Sequence, residues 1–142
     1  MKTVLIDTNI VLDVLLNRDG FNRSATALWV ACETGNIRGV VSAITLNNAY
    51  FVCSKLLGRA KALEAVRLTL AVFKPIALDD KILRLAVASP GKDFEDAIQL
   101  YSALEARAFC IITRNARDFP NGMIRLLSPE EFLATLPLFP QK

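Results

Sequence analysis

The stretch Val4-Leu5-Ile6-Asp7-Thr8-Asn9-Ile10, VLIDTNI, breaks a short β-branched and leucine run with three polar residues before a second apolar run begins. Such a run reads as a strand buried in a parallel sheet, where both faces are covered and polar alternation is absent. Asp7 is thereby placed at the carboxyl end of a strand. Outward from this point, strand-like runs and helical periodicities take turns. A helix is expected to about Leu16, broken by the turn-forming residues from Asn17 to Gly20, and a second from about Asn22 to Thr34 with Gly35 as its stop. Residues 39–42 read as a second strand, with Ser42 capping a third helix that ends near Gly58. The Ala- and Leu-rich residues 59–73 make a fourth helix stopped by Pro75, and Ile76-Ala77-Leu78 a third strand running into Asp79 as an N-cap. A short helix over 80–88 and a loop over 89–92 follow. Asp93 opens a helix to about Ala106, and residues 109–113 form a fourth buried strand. A fifth strand is expected over 124–127, before Ser128-Pro129-Glu130-Glu131 starts a terminal helix with an N-cap serine, proline at N1 and glutamate at N3.

Strands alternating with helices imply an α/β fold with a mostly parallel sheet covered on both faces. Ligands of such sheets bind outside the carboxyl ends of the strands, where strand order reverses. Asp7 and the residues after Thr113 both belong to that edge. With 142 residues and 53 % hydrophobic content, one domain over residues 1–136 is expected, with a loosely held tail over 137–142.

Composition narrows the chemistry. There is no histidine, which excludes Ser-His-Asp and Cys-His machinery and leaves hydrolysis to carboxylates, Lys, Tyr or a bound metal. Cys32, Cys53 and Cys110 lie among apolar neighbours without a C-x-x-C pair and read as core thiols. No apolar run approaches the roughly 18 residues needed to cross a bilayer, and no cleavable leader opens the chain, so a cytoplasmic, soluble protein is expected. The formal charge of +3 is spread along the chain and permits an anionic partner without demanding one.

Three further segments supply polar groups. In Asp93-Phe94-Glu95-Asp96-Ala97, steps of three and four from Asp96 meet Gln99, Leu100, Ala103 and Leu104, a largely apolar stripe, whereas Glu95 steps to Gln99, Ser102 and Glu105. Asp96 is therefore expected to face the sheet and Glu95 water. An inward carboxylate needs a partner, so Asp96 reads as a site residue, while Asp93 reads equally as a helix cap or as part of the site. In Thr113-Arg114-Asn115-Ala116-Arg117-Asp118-Phe119, oxygen ligands at the strand end are interleaved with Arg114 and Arg117, either a polar surface loop or a set able to meet phosphates. Asn48 shares a stripe with Ile44, Phe51 and Val52 and is expected to point inward, satisfying a buried group or serving the site.

Taken in order, VLIDTN, SAITLNNAY, DFEDA, TRNARDF and SPEEF resemble the PIN-domain family of metal-dependent ribonucleases, which includes the VapC-like toxins of bacterial toxin–antitoxin pairs. The resemblance covers nearly the whole chain and implies a three-layer α/β/α sandwich whose acids bind Mg2+ or Mn2+ and hydrolyse RNA. Carried onto this chain, it implies Asp7, Asp96 and Asp118 as catalytic and metal-binding residues, with Asp93 as a further ligand. Thr8, Asn9, Asn48, Thr113 and Asn115 would support them. By their proximity in sequence to the acids, Arg114, Arg117 and Lys92 are candidates for RNA phosphate contacts, with solvated surface charge the favoured reading of Lys92. A cognate antitoxin and a homodimer are the implied protein partners. Two positions depart from the usual pattern: Asn48 stands where many members have Glu, and Asn115 where many have Asp. A branch of similar PIN proteins carries Asn at both. Neutral carbonyl oxygens bind a hard cation more weakly than carboxylates do.

The residues also fit two rival readings. A PIN fold with a weakened acidic cluster would act as an RNA- or protein-binding module. A haloacid-dehalogenase-like phosphatase would use Asp7 as nucleophile, but its motif wants a second Asp where this chain has Asn9.

Overall fold

The computed structural model describes residues 1–89, 93–119 and 122–137. They form five strands, β1 (Thr3–Ile6), β2 (Arg38–Ser42), β3 (Lys74–Ile76), β4 (Cys110–Ile112) and β5 (Arg125–Leu127). The helices are α1 (Thr8–Leu15), α2 (Asn22–Glu33), α3 (Ala43–Leu57), α4 (Arg59–Val72), α5 (Asp80–Ala88), α6 (Phe94–Glu105) and α7 (Pro129–Leu133). All strand pairs are parallel, in the order β3-β2-β1-β4-β5. The chain steps from β1 outward to β3 and then crosses to the other side of β1, so strand order reverses between β1 and β4. Val4 lies opposite Cys110 and Ile6 opposite Ile112 across that line.

Neighbouring residues of one strand enter different cores, which is why the strands show no polar alternation. Val4, Ile6, Val41, Cys110 and Ile112 pack with Ile10 and Val11 of α1, Leu28 of α2 and Phe132 of α7. Leu5, Val40 and Ile111 point the other way and pack with Leu100 and Ala103 of α6. Helix α5 then covers α6 through Ile82, Ala86, Ala97 and Ile98. The result is the expected α/β/α sandwich. Helices α3 and α4 form a hairpin turned at Gly58, whose φ of 89° suits glycine, and it rests on α1 through Leu12, Ala49, Cys53 and Ala62. Cys32, Cys53 and Cys110 are free and buried.

One strand falls earlier than expected. Pro75, read as a stop, lies within β3 opposite Val41, and Ala77 and Leu78 follow the strand instead of forming it. Because β3 is an edge strand, the missing proline N–H costs the ladder little. Among the described residues no helix is long and apolar enough to cross a membrane. Beyond Pro137 the expected loose tail lies outside the described residues.

Gly39 of β2 is a second sequence-specific fit. A Cβ there would stand 2.5 Å from the Phe73 ring and 2.8 Å from Cys32 Sγ, and Phe73 is itself held edge-on against Trp29 at 4.8 Å between centroids. Gly39→Ala is therefore expected to destabilise the fold by about 2 kcal/mol through overpacking. A chemical-denaturation midpoint equal to that of wild type would contradict this packing.

Candidate active site

Asp7 is 3 % exposed although it ends a strand. Its backbone N–H donates to Ile112 O at 3.0 Å, tying it to β4, and its carbonyl accepts from Ile10 N–H at 3.0 Å to open α1. The carboxylate accepts from Thr113 Oγ1 at 2.8 Å and from Gln99 Nε2 at 3.0 Å. Thr113 Oγ1 in turn accepts from the Asn115 backbone N–H at 3.0 Å, which couples the post-β4 loop to the strand ends. Burial raises the pKa of Asp7, against the opposing pull of Thr113, Gln99 and the backbone amides of Thr8 and Asn9.

The first turn of α6 faces this point. Asp93 is the N-cap, its Oδ1 accepting from Asp96 N–H at 3.0 Å. Asp93, Glu95 and Asp96 each present a carboxylate oxygen, all within 4.8 Å of one another. Burial, then the charges of Asp93, Asp7, Glu95 and Asp118, push Asp96 from 3.8 up to about 7.

Glu95 corrects the sequence expectation. It is half-buried instead of facing water, accepting from Asn48 Nδ2 of α3 and from Gln99 Nε2 at 3.4 Å. Burial raises its pKa, countered by the Asn48 hydrogen bond, and the charges of Asp7 and Asp93 raise it further. Gln99 was expected on the stripes of both Glu95 and Asp96 but not as a partner of the acids. It is fully buried, its Nε2 bridges Asp7 and Glu95, and its Oε1 has no hydrogen-bond partner among the described residues.

The other candidates fall in different settings. Asn48 points inward, as its spacing predicts, whereas Asn47 is exposed. Thr8 and Thr45 share a buried hydroxyl–hydroxyl bond of 2.9 Å, and Asn9 Oδ1 accepts from Arg18 at 3.3 Å. In the loop, a 3-10 turn over Ala116–Asp118 leaves Arg117 and Asp118 exposed and Asn115 half-buried, with Asp118 acting on Asp96 as a charge. Lys92 lies outside the described residues.

Arg114 is committed elsewhere. Its Nε and Nη2 donate to Asp13 at 3.0 and 3.2 Å, and its guanidinium lies 3.9 Å from the centroid of Phe21. Asp13, at 0 % exposure, also accepts from Arg18 at 3.3 Å. An aspartate inside the apolar run Ile10-Val11-Leu12-Asp13-Val14-Leu15 was a readable sign of this buried pairing.

The donor set fits a hard divalent cation. It consists of carboxylate oxygens gathered at a switch point, and Mg2+ and Mn2+ favour oxygen ligands. Proton and cation then compete for the same oxygens. With Asp96 raised above its unfolded value, the metal-free fold takes up a proton between about pH 4 and 7 that the unfolded chain does not. The contribution of that proton to stability is thus fully present below the unfolded pKa and lost as pH rises through about 7. Melting in chelator is expected to occur at higher temperature at pH 5.5 than at pH 8, and saturating Mn2+ to flatten the difference. Equal pH dependence with and without Mn2+ would contradict it.

The sequence matches the PIN domain family model over residues 3–117. A comparison with curated protein sequences finds no significant match. Among solved structures, a chain of a toxin–antitoxin complex from Klebsiella pneumoniae superposes with a TM-score of 0.66 at 27 % identity, covering 89 % of this chain and 97 % of that one. DNA-bound VapBC from Salmonella typhimurium gives 0.67 at 16 % identity over 91 % and 99 % of the two chains. VapC20 of Mycobacterium tuberculosis, a sarcin-ricin loop cleaving toxin, gives 0.66 at 15 % over 84 % and 98 %.

Proposed function

The chain belongs to the PIN domain family, and from that premise we propose that it is a Mg2+- or Mn2+-dependent ribonuclease, the toxin of a bacterial toxin–antitoxin pair. The observation that carries this is the gathering of Asp7, Asp93 and Asp96 at the sheet's switch point in a chain without histidine. The partner in such a pair is a separate antitoxin chain, in keeping with the toxin–antitoxin complexes that share the fold.

Asp7 and Asp96 are the main metal ligands, with Asp93 beside them. The cation, when bound, lowers the pKa of water and neutralises charge on the phosphoryl oxygens. Asp118, exposed on the loop, is a further ligand or orients the attacking water. Thr113 and Gln99 hold the Asp7 carboxylate in one orientation, and Thr113 also fixes Asn115. Thr8 and Asn9 pin the start of α1. Arg114 serves the loop through Asp13, which leaves exposed Arg117 to meet the RNA backbone.

The test is incubation of the purified protein with varied RNAs in Mg2+, in Mn2+ and in chelator. Fragmentation with either ion and none in chelator is the expected result. Intact RNA across all substrates, with folded protein that retains RNA or a protein partner, would replace the nuclease with a binding module.

A further inference from the structure

We propose that Glu95 is a further carboxylate of the metal-holding set and that Asn48 and Gln99 are the residues that aim it. The inference rests on the metal-dependent function proposed above and extends it to Glu95 and Gln99 of α6, whose spacing did not reveal it, and to Asn48 of α3.

A glutamate in the first turn of a helix ordinarily extends into water, where its charge is solvated and its rotamers are free. Glu95 instead turns inward, and each of its oxygens is taken by a side-chain amide: Oε2 by Asn48 Nδ2 and Oε1 by Gln99 Nε2. Amide N–H groups donate to a carboxylate and fix its plane, but each oxygen has two acceptor sites and keeps one for a cation. The carboxylate thus held presents an oxygen within 4.8 Å of oxygens from both Asp93 and Asp96. Three like charges gathered this closely repel, and a divalent cation relieves that repulsion.

The second observation comes from Gln99. Its side chain is fully buried and inserted between Asp7 and Glu95, where one Nε2 serves both carboxylates. That orientation leaves Oε1 buried without a partner among the described residues. Leaving a buried carbonyl oxygen unpaired is unfavourable, and the opposite amide orientation would aim that oxygen at two acceptors. Gln99 thus keeps its Nε2 toward the two acids at the cost of an unpaired oxygen. Asn48 therefore serves the site from α3 without being a ligand, and its neutral amide is the chemistry this role requires, since a carboxylate at that position could donate nothing to Glu95.

The experiment is Mn2+ binding, read from the electron paramagnetic resonance signal of free Mn2+, for wild type, Glu95→Gln, Asn48→Ala, their double variant and Asp96→Asn. Glu95→Gln is expected to weaken Mn2+ binding at least tenfold and Asn48→Ala by about tenfold, the effect of losing a ligand's orienting partner. The double variant is expected to bind no more weakly than Glu95→Gln alone, because Asn48 acts through Glu95. Wild-type affinity in Glu95→Gln, while Asp96→Asn loses the ion, overturns the inference and leaves the proposed function standing. Additive losses in the double variant overturn the positioning role of Asn48. Wild type that binds no Mn2+ overturns the metal-dependent function itself. Should Glu95→Gln fail to fold in chelator, Asn48→Ala keeps every carboxylate and still decides the matter.

Discussion

Asp96→Asn is expected to lower metal-stimulated RNA cleavage by roughly a hundredfold to a thousandfold while making the metal-free protein more stable. The two effects share one cause. Asp96 is raised to about 7 because its charge is partly buried and faces the charges of Asp93, Asp7, Glu95 and Asp118. The fold tolerates that cost, and in the proposed function a bound cation would turn the same charge into a ligand. Asparagine keeps the shape, removes the charge and relieves the repulsion. Initial rates in Mn2+ and melting curves in chelator check both halves. Cleavage at the wild-type rate would remove Asp96 from the site, and a lower melting temperature at pH 8 would show its charge to be stabilising.

Asp13→Ala is expected to destabilise the protein by about 3 kcal/mol, or roughly 10 °C in melting temperature. Asp13 has no exposed surface and holds Arg114 through two hydrogen bonds and Arg18 through a third. Removing it leaves Arg114 part-buried over Phe21 without its anion, and frees the loop that carries Asn115, Arg117 and Asp118. Arg18→Ala leaves the Arg114 pair in place and is expected to cost about 1 kcal/mol. A thermal melt of each variant measures this. Equal, small losses would mean that Asp13 does not anchor the loop.

The alternation of strands and helices, the two covered faces and the position of Asp7 were legible because they depend on local runs, VLI before DT and CII before TRN, whereas the strand order was not. The inward turn of Asp96 was legible from helical spacing. Glu95 was not, because its stripe passes through Gln99 and Ser102, polar residues that read as solvent-facing and are both fully buried. Ser102 is satisfied within its own helix by donating to Ile98 O at 2.8 Å, and the Nε2 of Gln99 finds its acceptor in an aspartate 92 residues away. Periodicity within one helix carries neither fact. Pro75 misled in another way: its reading as a stop is sound for a helix, but an edge strand accepts it, and edge position is set by the order of the whole sheet. Arg114 looked like a phosphate contact beside the acids, and its anion proved to be Asp13 on α1, 101 residues away.

In the proposed function these carboxylates hold a divalent cation. Crystals saturated with Mn2+ and measured at an anomalous wavelength test it most directly. An anomalous peak about 2.1 Å from carboxylate oxygens of Asp7 and Asp96 is the predicted result. Saturated crystals whose manganese lies elsewhere, with those acids bonded only to protein and water, would contradict the account.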